Sequence, residues 1–534
     1  MSTMSSEPLY RLKEEVYFEP LVLKWYAWPY LLPPVSAAMN LFGRSLRLMK
    51  SFVANHELHL SASADPALAG GDFVSCSAEH LEAMRELIRE METRHADYFE
   101  VRAAVVEINR LLEPMKGMSL ESLYSRLPAV LGGYVELVYD MSHAPSFRLI
   151  EGLLYEGSLY KEGMQSISLG LLSKTRERPF VLSSPRFPDA NHLHVESPFA
   201  DPFIDALFAT RDRPVTQRAV DDMFDGLPTA GGLGIRELFT SEAPSIRHQP
   251  LSGDLRISYL GHAGLMLETP DTTILVDPVI AVRDADNRHD VVGFSELPPS
   301  IDYICVTHTH MDHVCIETLL QLRHKTRRVL VPKNNGGSVA DPSLKLMLGK
   351  IGFNVSEMEE MEQLTVPGGR IRALPFLGEH ADLNIRSKTA WLFELAGKKV
   401  FVGADSSSID ARLYERMQRV TGNVDLLFIG MECVGAPMSW LYGSLFAKPI
   451  PRAINESRRF NGSDSVSVEK LMAIFKPAQV YIYALGMERW FKYFMGLEYG
   501  ENARQIEESG RVLAACASRA IHAERLLGKR VWNF

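Results

Sequence analysis

Between residues 81 and 114 apolar side chains recur every three or four positions. Leu81, Met84, Leu87, Ile88 and Met91 carry charges between them, and the stretch FEVRAAVVEINRLLEP continues the pattern. That period predicts helix, opened near Ser77 as an N-cap and stopped at Pro114. SISLGLL (166–172) and RPFVLSSPRF (178–187) read as strands. WYAWPYLLPPVSAAMN (25–40) mixes aromatics with prolines and reads as an extended or docking segment rather than a regular element. A boundary falls at 240–253, in the polar, proline-containing TSEAPSIRHQPLSGD. Beyond it the grammar changes. LRISYLGHAGLMLETPDTTILVDPVI alternates around turn signals, and IDYICVT, RIRALPFL, AWLFEL, KKVFVGAD, VDLLFIGME and AQVYIYAL are short apolar strands. CIETLLQLRH and VSVEKLMAIF have helical spacing, as does the terminal RAIHAERLLGK. The chain is expected to be α/β: an α+β N-terminal domain over 1–245, then over 246–534 sheet layers covered by helices, with a C-terminal helical extension.

Composition narrows the function. A chain of 534 residues is long enough for more than one core. A net charge of −9 argues against a nucleic-acid partner, which needs a basic face. No run approaches a membrane span, and MSTMSSEPLYRLKEEVYFEP lacks the regions of a signal peptide. The cysteines (Cys76, Cys305, Cys315, Cys433, Cys516) are scattered and never spaced CxxC, which fits a reduced cytoplasm and excludes a cysteine zinc site. A cytoplasmic protein is expected.

The chemistry is concentrated in VTHTHMDHV (306–314), which leaves an apolar strand. His308 and His310 flank one residue, so an extended loop points both imidazoles the same way. Asp312 and His313 are adjacent, cannot share that direction, and are placed for a second metal. HxHxDH therefore reads as a two-metal platform. Asp405 ends another apolar strand, VFVGAD. Glu379 and His380 stand side by side in FLGEHADLN, and either can supply a further ligand.

These stretches, with the YLGHAGLMLET…ILVDP opening, resemble the metallo-β-lactamase superfamily over about residues 254–495. The resemblance implies an αββα sandwich in which Asp405 bridges both metals. It departs from the dizinc hydrolases of that superfamily in one place. Where a closing histidine ligand would stand, after AQVYIY, the chain has ALGMERW, and the only histidine beyond His380 is His522. If Glu379 binds, the donors are His308, His310, Asp312, His313, Glu379 and Asp405, an oxygen-rich set that favours iron. If His380 binds, the first metal has the usual three histidines.

The layout, the length and the GEH and ALG departures resemble the diiron β-hydroxylases of chloramphenicol biosynthesis, over nearly the whole chain. That resemblance assigns Glu379 as the ligand. It implies an O2-dependent monooxygenase with two iron ions and an external electron donor or reductase. The substrate would be an amino acid, aromatic by resemblance, held as a thioester on a nonribosomal peptide synthetase thiolation (carrier) domain and hydroxylated at its β-carbon, as in antibiotic biosynthesis. The first domain would dock the carrier, form a homodimer, or both. Glu379 and Glu432 are the catalytic candidates, Glu432 as a mobile or outer carboxylate against a plainly structural alternative. His262 is expected beneath the site. His192 and His194 share a side of a strand, and the run LRHKTRR (322–328) is either a solvated helix end or an attractant for an acidic carrier. The alternative function is a dizinc hydrolase, a phosphodiesterase or lactonase.

Overall fold

The computed structural model describes residues 7–175, 178–283, 287, 290–496 and 498–534. Two seven-stranded mixed sheets lie face to face. The first runs in the order Val355–Met358, Thr326–Pro332, Ile301–Cys305, Thr273–Val276, Gly264–Glu268, Arg256–Gly261, Arg530–Asn533. The second runs Gln363–Val366, Gly369–Leu374, Ala390–Leu395, Lys398–Val402, Leu426–Gly430, Gln479–Tyr483, His522–Arg525.

Alternation along the strands explains the layering. Leu265, Leu267, Ile274 and Val276 face the second sheet, where they meet Trp391, Phe393, Val402, Phe428 and Tyr481. Met266 and Leu275, the intervening residues, face outward. Successive side chains alternate faces, so strands buried on both faces are apolar throughout. Helices Ala411–Thr421, Ser465–Phe475 and Arg504–Ser518 cover the outside of the second sheet, with Tyr414, Leu471 and Val512 in the contact. The outside of the first sheet is covered by Ile316–Leu322 and Leu344–Lys350, and by the N-terminal half. Phe18, Tyr30, Met39 and Phe208 belong to the same continuous apolar cluster as Met266, Leu275, Ile304 and Leu320.

That half holds a five-stranded antiparallel sheet, ordered Trp25–Tyr26, Val16–Val22, Gln165–Leu171, His192–Val195, Thr229–Ala230, and the helices Leu81–Arg94 and Ala96–Leu112. Ser77 precedes a short 3-10 turn that leads into the first of these helices, and its hydroxyl meets His80 Nδ1 at 3.1 Å.

Three expectations are corrected. Residues 25–40 do contain regular elements: Trp25–Tyr26 is a strand, and Pro34–Asn40 is a buried helix with Pro34 at its first position, where a missing N–H costs nothing. Residues 178–187 form no strand. Pro179 and Pro185 remove ladder donors, and Arg178 and Arg186 both turn to Glu19, at 2.9 and 2.8 Å. The C-terminal extension is helical only over Arg504–Ser518. His522 begins a strand paired in parallel with Gln479–Tyr483, and Arg530–Asn533 closes the other sheet against Arg256–Gly261.

Candidate metal centre

The donor residues converge where strands of the two sheets end. Ile301–Cys305 runs parallel to Thr273–Val276 and Thr326–Pro332. Its continuation turns back at His310, whose carbonyl accepts the N–H groups of His313 (3.1 Å) and Val314 (2.9 Å) before helix Ile316–Leu322 starts. Asp405 follows Lys398–Val402 in the second sheet. Its strand neighbour is Leu426–Gly430, where a Cβ at Gly430 would stand 2.3 Å from Asp405 Oδ1, so this position takes glycine.

Three overlapping groups of donors form, one of them His262 with Asp312 and His313. His313 Nε2 is 3.0 Å from Asp405 Oδ2 and 3.6 Å from Asp312 Oδ2, and His308 Nε2 is 3.8 Å from Asp405 Oδ2. His310 Nδ1 is 3.0 Å from Glu379 Oε1, and these two group with His308. All six residues named from the sequence are thus brought together. Within the GEH triplet it is Glu379 that reaches the donor groups. His380 turns its Nδ1 to the Tyr442 hydroxyl at 3.1 Å and joins no donor group among the described residues. Glu379 sits at φ +67, between Gly378 at +96 and Ala381 at +51. A non-glycine residue held there stores about 1–3 kcal/mol, which the surroundings must offset.

The residues fit a pair of cations. His308 Nε2, Glu379 Oε2 and Asp405 Oδ1 are buried with no hydrogen-bond partner, and such groups are costly unless something binds them. Burial, then the charges of Asp405 and Asp312, pushes the Glu379 carboxyl well above the ordinary range. Burial would also raise Asp312, but His313 and the His262 hydrogen bond pull it far below. Burial opposes the His313 charge, yet Asp405, Asp312 and Asp277 raise it well above the usual value. Burial takes His308 well below its usual value and His310 down to about 4, so both are neutral, as metal ligands must be.

Behind the donors stand residues the sequence reading missed or left without a role. Fully buried Asp277 accepts from His313 Nδ1 (2.7 Å), Thr307 Oγ1 (2.5 Å) and Thr307 N (2.8 Å). Its only signal was its place at the end of ILVDP. Tyr442 bonds His310 Nε2 at 3.1 Å as well as His380, and no motif announced it. His262 lies beneath the site as expected, with Nε2 3.0 Å from Asp312 Oδ2.

A cavity of about 500 Å3 opens over the donors, lined by His310, Asp312, Glu379 and Asp405 and walled by Trp440, Phe460, Phe494 and Leu68 among others. Ala484, where a closing histidine would stand, contributes a methyl group to it. Glu432 also lines the cavity. Its Oε1 accepts from Gln505 Nε2 (2.7 Å) and Val434 N (3.2 Å), and its Oε2 from the Tyr499 hydroxyl. The segment Leu68–Gly71 with Phe73 separates this cavity from a neighbouring one of about 630 Å3.

The other candidates lie elsewhere. His192 bonds Tyr17 (2.5 Å) and Asp189 (2.6 Å), and His194, buried rather than exposed, faces Ser168. The basic run 322–328 is solvated only in part, with Arg327 exposed. Arg323 binds Asp205 (2.9 Å) and Lys325 binds Asp212 (3.0 Å), both with nearly buried side chains, which fastens it to the N-terminal half.

Residues 11–244 match the family described as the diiron non-heme beta-hydroxylase N-terminal domain, and residues 272–439 match a beta-lactamase superfamily domain. The chain is 34% identical over 530 residues to the 4-amino-L-phenylalanyl-[CmlP-peptidyl-carrier-protein] 3-hydroxylase of Streptomyces venezuelae, spanning 97% of this chain and 98% of that protein. It superposes on the crystal structure of CmlA, a diiron beta-hydroxylase from Streptomyces venezuelae, with a TM-score of 0.90 at 33% identity, covering 99% and 100% of the two chains. A mutant of the same hydroxylase gives a TM-score of 0.87 at 33% identity, over 98% of this chain and all of that one. No described helix is long and apolar enough to cross a membrane.

Proposed function

The chain belongs to the diiron non-heme beta-hydroxylase family, and we propose that it uses O2 and an external electron donor to hydroxylate the β-carbon of an amino acid tethered as a thioester to a peptidyl carrier domain. The observation that supports the reading is the donor set beneath and along the cavity, His308, His310, His313, Asp312, Glu379 and Asp405, with Glu379 grouped with His308 and His310, His380 Nδ1 on Tyr442, and alanine at 484. Such a set suits iron better than zinc. His308, His310 and Glu379 would hold one ion and Asp312 and His313 the other, with Asp405, which groups with His308 and His313, available as a further ligand. When bound, two irons supply the redox chemistry that activates O2.

The chain's own residues do the rest. Asp277 holds His313 in the tautomer that leaves Nε2 free for metal, and Tyr442 does the same for His310 Nδ1. The apolar wall of Trp440, Phe460 and Phe494 excludes water and suits an aromatic side chain. An amino acid presented on a carrier needs a cavity open on one side, and the rim at exposed Leu68 and Val434 supplies that. Cytoplasmic placement and use in natural-product biosynthesis follow from the same reading, as does a role for the N-terminal half in carrier docking or dimerisation.

The test is metal content on protein purified without added metal, followed by assay on aminoacyl-loaded carrier. About two irons per chain and a 16-dalton mass gain that needs O2 and reductant are expected. Glu379→Ala is expected to lose one iron and His380→Ala none. Two zincs that iron does not displace, with hydrolysis of phosphodiesters or lactones, would overturn the proposal in favour of the hydrolase.

A further inference from the structure

Hydroxylation at the β-carbon places the reacting C–H bond one carbon from the α-amino group. In a thioester the amino acid's carboxyl group is already consumed, so the α-ammonium is the one charge common to every such aminoacyl group. This inference rests on the function proposed above. The group that receives that ammonium must be negative, close to the metals, and not itself a ligand.

Four carboxylates line the cavity: Asp312, Glu379, Asp405 and Glu432. The first three belong to the donor groups and Glu432 to none among the described residues. Its position follows from the sheet. Lys398–Val402 and Leu426–Gly430 are adjacent parallel strands with Val402 opposite Phe428. Asp405 and Glu432 therefore leave neighbouring strand ends side by side, joined by the Gly430 N–H to Ala404 carbonyl bond at 2.7 Å.

The carboxylate is also built for a fixed task. An ionised carboxylate has about four acceptor sites. Gln505 and Val434 occupy both on Oε1, and Tyr499 takes one on Oε2, which leaves one open. Tyr499 itself lines the cavity, so this oxygen is held at the cavity surface. Among the described residues Arg459 is the only Lys or Arg lining the cavity; it donates to the Gly435 carbonyl at 2.8 Å and forms no ion pair with Glu432.

We propose that Glu432 receives the α-ammonium of the carrier-bound aminoacyl group and thereby sets which C–H bond faces the metal centre. Rigid support suits that role better than ligand exchange: a charge that aligns a substrate must not move with it.

The experiment compares two carriers, one loaded with an aromatic aminoacyl group and one with the des-amino acyl group of the same side chain, in the iron-loaded wild type and in Glu432→Gln. Wild type is expected to prefer the aminoacyl carrier by about 100-fold or more in kcat/KM, the scale of a buried charge pair. In Glu432→Gln that preference is expected to fall to within about threefold, with two irons retained, and the residual product to spread beyond the β-carbon. Tyr499→Phe, which frees the carboxylate without removing its charge, is the second variant, expected to lose part of the preference.

Loss of one iron in Glu432→Gln would overturn the proposal, because the residue would then be a ligand. An equal loss on both carriers would overturn it as well, because the role would then be structural. Absence of iron or O2-dependent product in the wild type is a separate result, and it would count against the family-level reading instead.

Discussion

Replacing Asp277 with asparagine isolates what one outer carboxylate does for the metals. The side chain is fully buried, and its two oxygens take three hydrogen bonds, from His313 Nδ1, Thr307 Oγ1 and Thr307 N. Asparagine has the same shape but only one acceptor oxygen. If that oxygen faces His313, the amide NH2 meets the Thr307 N–H, and the unpaired buried donors cost about 1–3 kcal/mol of stability. The bond to His313 also loses its charge assistance, which roughly halves its strength. If the amide flips, its NH2 faces His313 Nδ1, which must then accept. The proton moves to Nε2, the atom 3.0 Å from Asp405 Oδ2, and a protonated nitrogen cannot bind metal. Removing such a partner lowers metal affinity by about 10–100-fold, or about 1.4–2.7 kcal/mol. The expected result is a chain that keeps the iron of His308, His310 and Glu379 and releases the iron of Asp312 and His313 at about 10–100-fold lower chelator concentration. Iron content after graded chelation measures it, and thermal denaturation of the metal-free protein separates the folding cost. Two irons with an unshifted chelation midpoint would refute the reasoning, since His313 would then not depend on Asp277 for its tautomer.

Four further outcomes follow from the structure. Tyr442→Phe keeps the ring but removes the partner of His310 Nε2 and His380 Nδ1; it should weaken the other iron by about tenfold, read in the same chelation series. Ala484→His restores an imidazole beside Asp312 and Asp405; the zinc-to-iron ratio of protein grown in equal metals should rise and hydroxylation should fall. Arg178→Met leaves Glu317 without its guanidinium and Glu19 with Arg186 alone; losing one partner of a buried pair costs about 3–5 kcal/mol, which differential scanning should show as a lower melting temperature. Burial would raise the Glu19 carboxyl, but Arg186 and Arg178 hold it down to about 2. A depressed carboxyl stabilises above its unfolded value near 4.5, and about 3 kcal/mol should be lost as pH falls from there towards 2. Acid unfolding profiles of wild type and Glu19→Gln should therefore converge in that window.

The cluster of candidate donors was legible in the sequence because its pattern is local. HTHMDH spans six positions at the end of an apolar strand, and Asp405 ends another. The choice between Glu379 and His380 was not legible, since the two are neighbours in sequence and only the fold, with Glu379 at φ +67, sets which of them comes within reach of His310 and His308. Tyr442 lies 132 residues from His310, and nothing but the fold brings them together. The same holds for Arg178, whose partners Glu19 and Glu317 stand 159 and 139 residues away. Short strands at sheet edges were misread where helical spacing in RAIHAERLLGK occurred by chance, because tertiary pairing overrides local periodicity. Aromatic and proline residues at 25–40 suggested a segment without regular elements, yet Tyr26 and Tyr30 are fully buried in the core and Pro34 opens a helix.

The pairing of Arg530–Asn533 with Arg256–Gly261 sets an order of events during synthesis. The strand at 256–261 leaves the ribosome early and stays an open edge until the residues around 530 emerge. At about 5–20 residues per second the wait is on the order of tens of seconds. The histidine loop and Asp405 are both translated within that interval, before the sheet that carries the loop is complete. Iron delivered before that pairing would meet a histidine loop whose sheet is still incomplete. A fusion at the C-terminal side of Asn533 would load this last-formed edge, whereas one ahead of residue 7 would not.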